Sequence, residues 1–336
     1  MPVGTEGVSI NSDTANETLL SLSGVEVTIN TISGPVHPLQ GVDLDVFPGE
    51  TVGLVGESGS GKSMTLRSIL RLMPPGGAIT GGAVKWQGNS VLNLDADELQ
   101  SYRGSQVAMI YQNPVSALDP MLSVERQIVD AFKANRENSD GVAEEYARDV
   151  LRDLEFGNPD VILKRYPHQL SGGMAQRVNI ALALACGPSL ILADEPTTGL
   201  DMTTQIRVLD LLERQVSARN AALLFISHDL RAVSRVARNI GIMYAGQVVE
   251  FGPRERILTN PSHPYARALL ECMNLRTGER PRSIPGLVPQ MTEEYNLCAF
   301  RNRCSSRMAV CDEQPLPVHN LGERHRLLCH LGPGHD

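Results

Sequence analysis

Long apolar runs are missing from this sequence, and their absence removes one broad class of protein. The most apolar stretch in its 336 residues, Ile180 to Cys186, falls far short of the roughly 18 residues a membrane-crossing helix requires. A positive charge balance is missing too. The net charge of −8 and a pI near 5.5 exclude a chain whose main work is gripping nucleic acid, which needs a basic surface. The start, Met1 to Glu17, is polar and acidic and has neither the basic opening nor the apolar middle of a secretory signal. Residues 1–18 are therefore expected to be a disordered tail, and the chain to stay in the cytoplasm. No internal repeat and no low-complexity tract is present. What remains, 42% hydrophobic and 20% charged, is an ordinary globular composition, long enough for about two domains.

The apolar pattern alternates between strand and helix. Leu19 to Ile32 and Val42 to Val46 alternate as half-buried strands do, and Pro48-Gly49 supplies a turn. Thr51 to Val55 is a short apolar strand running into a Gly/Ser-rich loop, after which Met64, Leu66, Ile69, Leu70 and Leu72 are spaced like one face of a helix. Gly81-Gly82 and Gly88-Asn89 bracket a strand around Val84 and Trp86. From about Leu99 to Cys186 the pattern is mainly helical, with amphipathic stretches at Val124 to Ala134 and Val142 to Leu154. Leu190 to Ala193 reads as a strand, the segment holding Ile206, Leu209, Leu212 and Val216 as a helix, and Leu223 to Ile226 as a buried strand. Ile240 to Phe251 reads as paired strands about Ala245-Gly246. Strands alternating with helices predict an α/β fold around a largely parallel sheet. Beyond Gly252 the alternation ceases and prolines become frequent, which places a boundary near 255.

The loop Gly56-Glu57-Ser58-Gly59-Ser60-Gly61-Lys62-Ser63 fits the phosphate-binding pattern G-x-x-x-x-G-K-[ST]. Its glycines let successive backbone N–H groups turn inward around a phosphate, and the helix that follows points its positive end at the same place. Lys62 is expected on the β- and γ-phosphates and the Ser63 hydroxyl on Mg²⁺. Ser58, Gly59, Ser60, Gly61, Lys62, Ser63 and Met64 form the expected ATP-binding run. The four specified positions would arise by chance in roughly one chain in a hundred of this length, and here they also lie between a predicted strand and a predicted helix.

Two more features bear on phosphate chemistry. The apolar run Leu190-Ile191-Leu192-Ala193 delivers Asp194 and Glu195 to the end of a strand, where one carboxylate can hold Mg²⁺ and the other polarise a water. Leu170-Ser171-Gly172-Gly173-Met174 begins a helix and exposes backbone donors at its N-terminus, a second anion site far away in sequence. With these residues the chain resembles the ABC ATPase family, whose signature is Leu-Ser-Gly-Gly-Gln; Met174 replaces the last residue, as it does in the peptide-importer branch. The resemblance implies a P-loop NTPase of ABC type: a mixed-sheet core with an antiparallel β subdomain and a helical subdomain at about 99–186, in an ATPase domain spanning 19–255. It implies that Ser171, Gly172, Gly173 and Met174 grip ATP bound to a second subunit. Gln112 resembles the glutamine that senses Mg²⁺ and the attacking water, Asp201 in Gly199-Leu200-Asp201 the D-loop, and His228 the switch histidine. Glu195, His228 and Gln112 are the expected catalytic set, and Ser63, Gln112 and Asp194 the expected Mg²⁺ set. One expected residue is absent: no aromatic stands about twenty to thirty residues ahead of Lys62 to stack on adenine. Either His37 takes its place or adenine is held loosely.

Tyr111-Gln112-Asn113-Pro114, Tyr166-Pro167-His168-Gln169-Leu170, Met243-Tyr244-Ala245-Gly246 and His263-Pro264-Tyr265 resemble the ATPases of oligopeptide/dipeptide importers, a branch related to nickel and glutathione importers. Residues 256–336 are then a C-terminal extension of that branch. Four of six cysteines crowd into its last stretch of about forty residues: Cys298, Cys304, Cys311 and Cys329, with five, six and seventeen residues between them and Arg303 before the second. The spacing contains none of the close C-x₂₋₄-C pairs that zinc sites favour. Zinc, plain thiols and an iron–sulfur cluster all stay open on the residues alone, and the resemblance implies a [4Fe–4S] cluster. Cys186 and Cys272 sit in apolar helical surroundings and read as packing residues. The resemblance further implies a homologous second ATPase subunit in a heterodimer, two membrane permease subunits, an extracytoplasmic substrate-binding protein, and a place on the cytoplasmic face of the membrane. A soluble ABC ATPase of translation or repair would need two ATPase units or a long coiled-coil insertion, and neither is present.

Overall fold

The computed structural model describes residues 18–134, 141–273, 283–292 and 295–332. The expectation of a disordered tail falls on residues 1–17, which lie outside them. The described chain builds two sheets. The first is antiparallel, made of β1 (Leu20–Thr31), β2 (Gly34–Val46), β4 (Gly77–Trp86) and β5 (Asn89–Ser90) in the order β2-β1-β4-β5. The second is mixed and ordered β11-β12-β10-β9-β3-β8-β7-β6. Its parallel part comprises β3 (Thr51–Val55), β6 (Val107–Ile110), β7 (Leu190–Asp194), β8 (Ala222–Ser227) and β9 (Asn239–Tyr244).

The central strands are apolar on both faces because both faces are covered. Alternate residues enter different cores. Val52, Leu54, Leu190, Leu192, Leu224 and Ile226 pack toward the antiparallel sheet and α1 (Lys62–Ile69). Val55, Ile191, Ala193, Leu223 and Phe225 pack on the opposite face, against the helical side of the molecule. That side holds α3 (Val124–Lys133), α4 (Val142–Asp153), α5 (Pro159–Leu163), α6 (Gly172–Ala185), α7 (Met202–Ala218) and α8 (Leu230–Val236); the short α2 (Ala96–Ser101) precedes β6. Side chains of Ser123, Asn158, Ser171, Asp201 and Asp229 accept a backbone N–H in the first turn of α3, α5, α6, α7 and α8, which sets where each helix begins.

Two helical readings need correction. Leu72 lies past the end of α1 and Ile206, though on α7, is 42% exposed; α1 stops after eight residues, and the inner face of α7 runs through Val208, Leu209, Leu212 and Val216 instead. Strand β2 is longer than Val42 to Val46 and starts at Gly34, pairing with β1 from Thr31 onward despite Pro35.

The segment after 255 returns to the main sheet. After β10 (Gln247–Pro253), α9 (Arg254–Thr259) and α10 (Pro264–Met273), the hairpin of β11 (Val318–Gly322) and β12 (His325–Leu328) pairs antiparallel with β10. The junction is polar and buried: Glu250 accepts from the backbone N–H of Ser262 and His263 and lies 3.0 Å from His325 Nε2. Arg324 reaches Glu50 at 2.6 Å, with its guanidinium over the Phe47 ring. Only short strands carry the attachment, so no long alternating run marks it in the sequence.

Candidate functional site

Gly61 has φ +106, and a Cβ there would lie 2.5 Å from the Pro38 carbonyl oxygen, so only glycine lets the loop turn into α1. The first-turn N–H groups of α1, at Lys62, Ser63 and Met64, have no acceptor within the helix. Met64 is half-buried against the antiparallel-side core. Lys62 is 5% exposed and donates to the carbonyls of Gly56 (2.8 Å) and Glu57 (2.9 Å). Burial lowers its pKa, while Glu195, Asp194 and Glu57 pull it back up. At the end of β7, Asp194 accepts from the Ser63 hydroxyl at 2.9 Å. Burial raises the Asp194 pKa and that hydrogen bond opposes the rise. Two hard oxygen donors thus sit together at the mouth of the loop, the donor type that Mg²⁺ takes.

Glu195 is the point of convergence. Its backbone is left-handed (φ +43), a strained conformation for a side-chain-bearing residue that surrounding structure must hold in place. Glu195 Oε2 accepts from the Thr198 hydroxyl (2.8 Å) and from Gln112 Nε2 (3.3 Å), and lies 3.0 Å from His228 Nδ1. Gln112 follows β6 and His228 follows β8, the strands at either side of β7, so parallel order delivers two sequence-distant side chains to the Glu195 carboxylate. The three residues expected to be catalytic are therefore brought together, beside the Ser63–Asp194 pair.

The Ser171 group lies elsewhere. Ser171, Gly172, Gly173 and Met174 line a cavity of about 300 Å³ together with Arg177, Gly199, Asp201, Thr204 and Arg207, and no residue of the phosphate loop borders it. Ser171 Oγ caps α6 by accepting from Met174 N–H at 3.4 Å. Asp201 caps α7 through Thr204, whose hydroxyl and N–H donate to it and lower its pKa. The two phosphate-type sites thus stand apart within one chain.

The C-terminal segment brings further residues to the first site that sequence reasoning missed. Tyr265 of α10 accepts from the Glu57 N–H (3.0 Å), and Arg303 grips the Glu57 carboxylate with both terminal nitrogens (2.6 and 3.0 Å). Their sequence signals were slight, a His-Pro-Tyr phrase and an arginine before a cysteine. His37 packs beside the same segment: its N–H donates to the Met291 carbonyl, and with Thr28, Gln40 and Tyr295 it lines a cavity of about 290 Å³. Sequence offered no aromatic near His37; the fold supplies Tyr295.

The four expected cluster cysteines are free thiols, with Cys298, Cys311 and Cys329 buried and Cys304 half-buried. Cys298 lies within electrostatic reach of the other three. Burial, reinforced by that proximity, pushes Cys298 and Cys329 up to about 11. The backbone at Phe300, Ser306 and Leu331 partly opposes the rise at Cys298, Cys304 and Cys329. Among the described residues no group of three or more Cys, His, Asp or Glu is placed to hold a single metal ion.

Comparison with known proteins agrees with this geometry. Residues 39–198 match the ABC transporter family model, and residues 249–311 match the oligopeptide/dipeptide transporter C-terminal region. The chain is 41% identical over 300 residues to the probable D,D-dipeptide transport ATP-binding protein DdpD of Escherichia coli, covering 88% of this chain and 92% of that one. It is 38% identical over 299 residues to the dipeptide transport ATP-binding protein DppD of Bacillus subtilis, covering 88% and 89%. Among solved structures, the dimeric bacterial ABC transporter cassette MJ0796 superposes with a TM-score of 0.63 at 29% identity, over 70% of this chain and 98% of that one. The chain belongs to the ABC transporter ATP-binding proteins with the oligopeptide/dipeptide-type C-terminal region, and it is an ATPase. No helix among the described residues is long and apolar enough to cross a membrane.

Proposed function

We propose that this chain is the ATP-hydrolysing subunit of a peptide importer, working on the cytoplasmic face of the membrane with two permease subunits and an extracytoplasmic substrate-binding protein. Residues 19–255 are its ATPase domain and 256–336 its importer-type extension. The observation that carries the reading is the meeting of Gln112, Thr198 and His228 on Glu195, next to Ser63 and Asp194. Lys62 leaves its carbonyl partners for the β- and γ-phosphates, and the first-turn N–H groups through Met64 hold the same oxygens. Ser63, Asp194 and Gln112 would hold Mg²⁺, which neutralises charge on the phosphates when bound. Glu195 takes a proton from the attacking water, Gln112 orients that water and His228 faces the γ-phosphate.

The Ser171–Met174 group and Asp201 act on ATP carried by a second, homologous subunit, most simply in a heterodimer. Its separation from the phosphate loop supports this, because one chain cannot close both sites on one nucleotide. Dimer closure around two ATP molecules drives the permease, and hydrolysis reopens it.

The peptide substrate rests on relatives whose names specify dipeptide or peptide transport; the same role in a nickel or glutathione importer is the second reading. A [4Fe–4S] cluster on Cys298, Cys304, Cys311 and Cys329 belongs to the same proposal: Cys298 lies within electrostatic reach of the other three thiols, and four thiolates are the ligand set such a cluster takes. Such a group would supply one-electron chemistry or a structural staple, and no step above passes through it.

The experiment is uptake of labelled di- and oligopeptides by cells lacking this gene and by cells carrying Glu195→Gln. Loss of uptake in both supports peptide import. Unchanged uptake, with redundant importers removed, overturns the substrate and directs the same assay to nickel and glutathione.

A further inference from the structure

The phosphate loop of this protein carries a carboxylate, Glu57, one residue into the anion cradle. A negative charge there opposes the binding of a triphosphate unless it is neutralised or held aside. The structure does both with a residue nearly 250 positions away. Arg303 is only 4% exposed. Its Nη1 and Nη2 donate to the two Glu57 oxygens at 2.6 and 3.0 Å, Nη1 also to the Tyr244 hydroxyl at 3.3 Å, Nη2 to the Ile284 carbonyl at 3.2 Å, and Nε to the Pro285 carbonyl at 2.9 Å. All five guanidinium N–H groups thus have an acceptor, and the Tyr244 and Phe300 rings flank the charge at 5.8 and 6.0 Å. A two-point pair of this kind fixes direction as well as charge. It points the Glu57 side chain toward the C-terminal segment.

The neighbourhood is built for rigidity. Tyr265 accepts the Glu57 N–H, and Tyr244, Tyr265 and Phe300 pack ring against ring with centroids 4.6 to 5.3 Å apart. The loop from Cys298 to Cys304 carries both Phe300 and Arg303, and the Arg303 N–H donates to the Phe300 carbonyl. The nearest residues that could otherwise answer Glu57 are already used: Lys62 rests on the Gly56 and Glu57 carbonyls.

We propose that Arg303 is a positioning residue of the ATP site, which holds the Glu57 carboxylate out of the phosphate cradle and so makes nucleotide affinity depend on the docked four-cysteine segment. The inference rests on the ATP reading of the phosphate loop. It predicts that ATP binds weakly whenever the Cys298–Cys304 loop is displaced, because displacement returns an unpaired negative charge to the cradle.

The test is equilibrium binding of a ribose-labelled fluorescent ATP analogue, with Mg²⁺, to the full chain as purified. Arg303→Ala is expected to weaken binding by about tenfold, toward the lower end of the usual range for site-to-site coupling. Adding Glu57→Gln to Arg303→Ala is expected to restore affinity to within about threefold of the unchanged protein. A purely structural role for Arg303 would not produce that rescue, since the double variant recovers no contact to the segment. Where Arg303→Ala does not fold, Arg303→Gln places an uncharged amide at the level of Nε, beside the Pro285 carbonyl, while removing the charge and both Nη donors, and the same two results are expected. Unaltered affinity in the single variant, or a double variant as weak as the single, overturns the proposal. Failure of the unchanged protein to bind the analogue any better than Lys62→Ala does would instead remove the ATP reading beneath it.

Discussion

The chain has two helix N-termini shaped for phosphate, and they are built differently. At α1 the residue before the helix is a left-handed glycine that offers no side-chain cap, so the first-turn donors stay open. A lysine is buried behind them, and three strand ends bring Asp194, Glu195, Gln112 and His228 close. At α6 the Ser171 hydroxyl already occupies the first turn. Its cavity holds Arg177 and Arg207 but no counterpart of the Glu195 cluster. Under the proposed function one end binds and reacts, the other binds only, and a second subunit supplies what each lacks.

The sharpest way to break this comparison is to remove the chemistry from the first end alone. Glu195→Gln should lower ATP turnover by about 10²- to 10⁴-fold, the usual contribution of a general base, while binding of ATP persists and ATP-bound dimers accumulate on a sizing column. Normal turnover would take the base role away from Glu195. At the other end, Ser171→Glu places a carboxylate where a second subunit's phosphates are expected. Turnover should fall on the order of a hundredfold because like charges face each other, with ATP binding to the separate chain unaltered and ATP-driven dimers absent. Weakened binding in the isolated chain would mean that the two ends serve the same nucleotide.

A smaller effect probes the C-terminal side of the comparison. His263 is fully buried, burial lowers its pKa to about 4 from 6.5, and its Nδ1 accepts the Tyr265 N–H. Between those two values the unfolded chain takes up a proton that the folded chain refuses, so stability falls as pH drops from 6.5 toward 4 and falls no further on that account below 4. The loss by pH 5 is about 2 kcal/mol. Urea midpoints at pH 7.5 and pH 5 should separate in the unchanged protein and draw together in His263→Gln; equal separations in both would rule out this histidine.

Much of the first site could be read directly. A phosphate loop works through backbone groups of consecutive residues, so its pattern is contiguous, and Asp194-Glu195 directly follows an apolar strand. The parallel strands were legible because residues buried on both faces form unbroken apolar runs. What escaped reading was carried by pairing between distant segments. Strands β11 and β12 are five and four residues long, too short to display a period. Leu72 and Ile206 kept helical spacing without burial, because spacing does not reveal where a helix stops or how wide its covered face is. Sequence distance likewise hid that Tyr295 of the C-terminal segment lines the cavity beside His37.

The sequence alone determined the family, the phosphate-loop pattern, the Asp194-Glu195 pair at a strand end and the Ser171-Gly172-Gly173 helix start, since each depends on neighbouring residues or on a local apolar run. Only the tertiary structure decided that Gln112, Thr198 and His228 meet on one oxygen of Glu195, that the Ser171 group lies away from the phosphate loop, and that Arg303 holds Glu57. Gln112, His228 and Arg303 reach partners dozens to hundreds of positions away, in contacts set by strand order and by the return of the C-terminal segment, and no local pattern encodes those contacts.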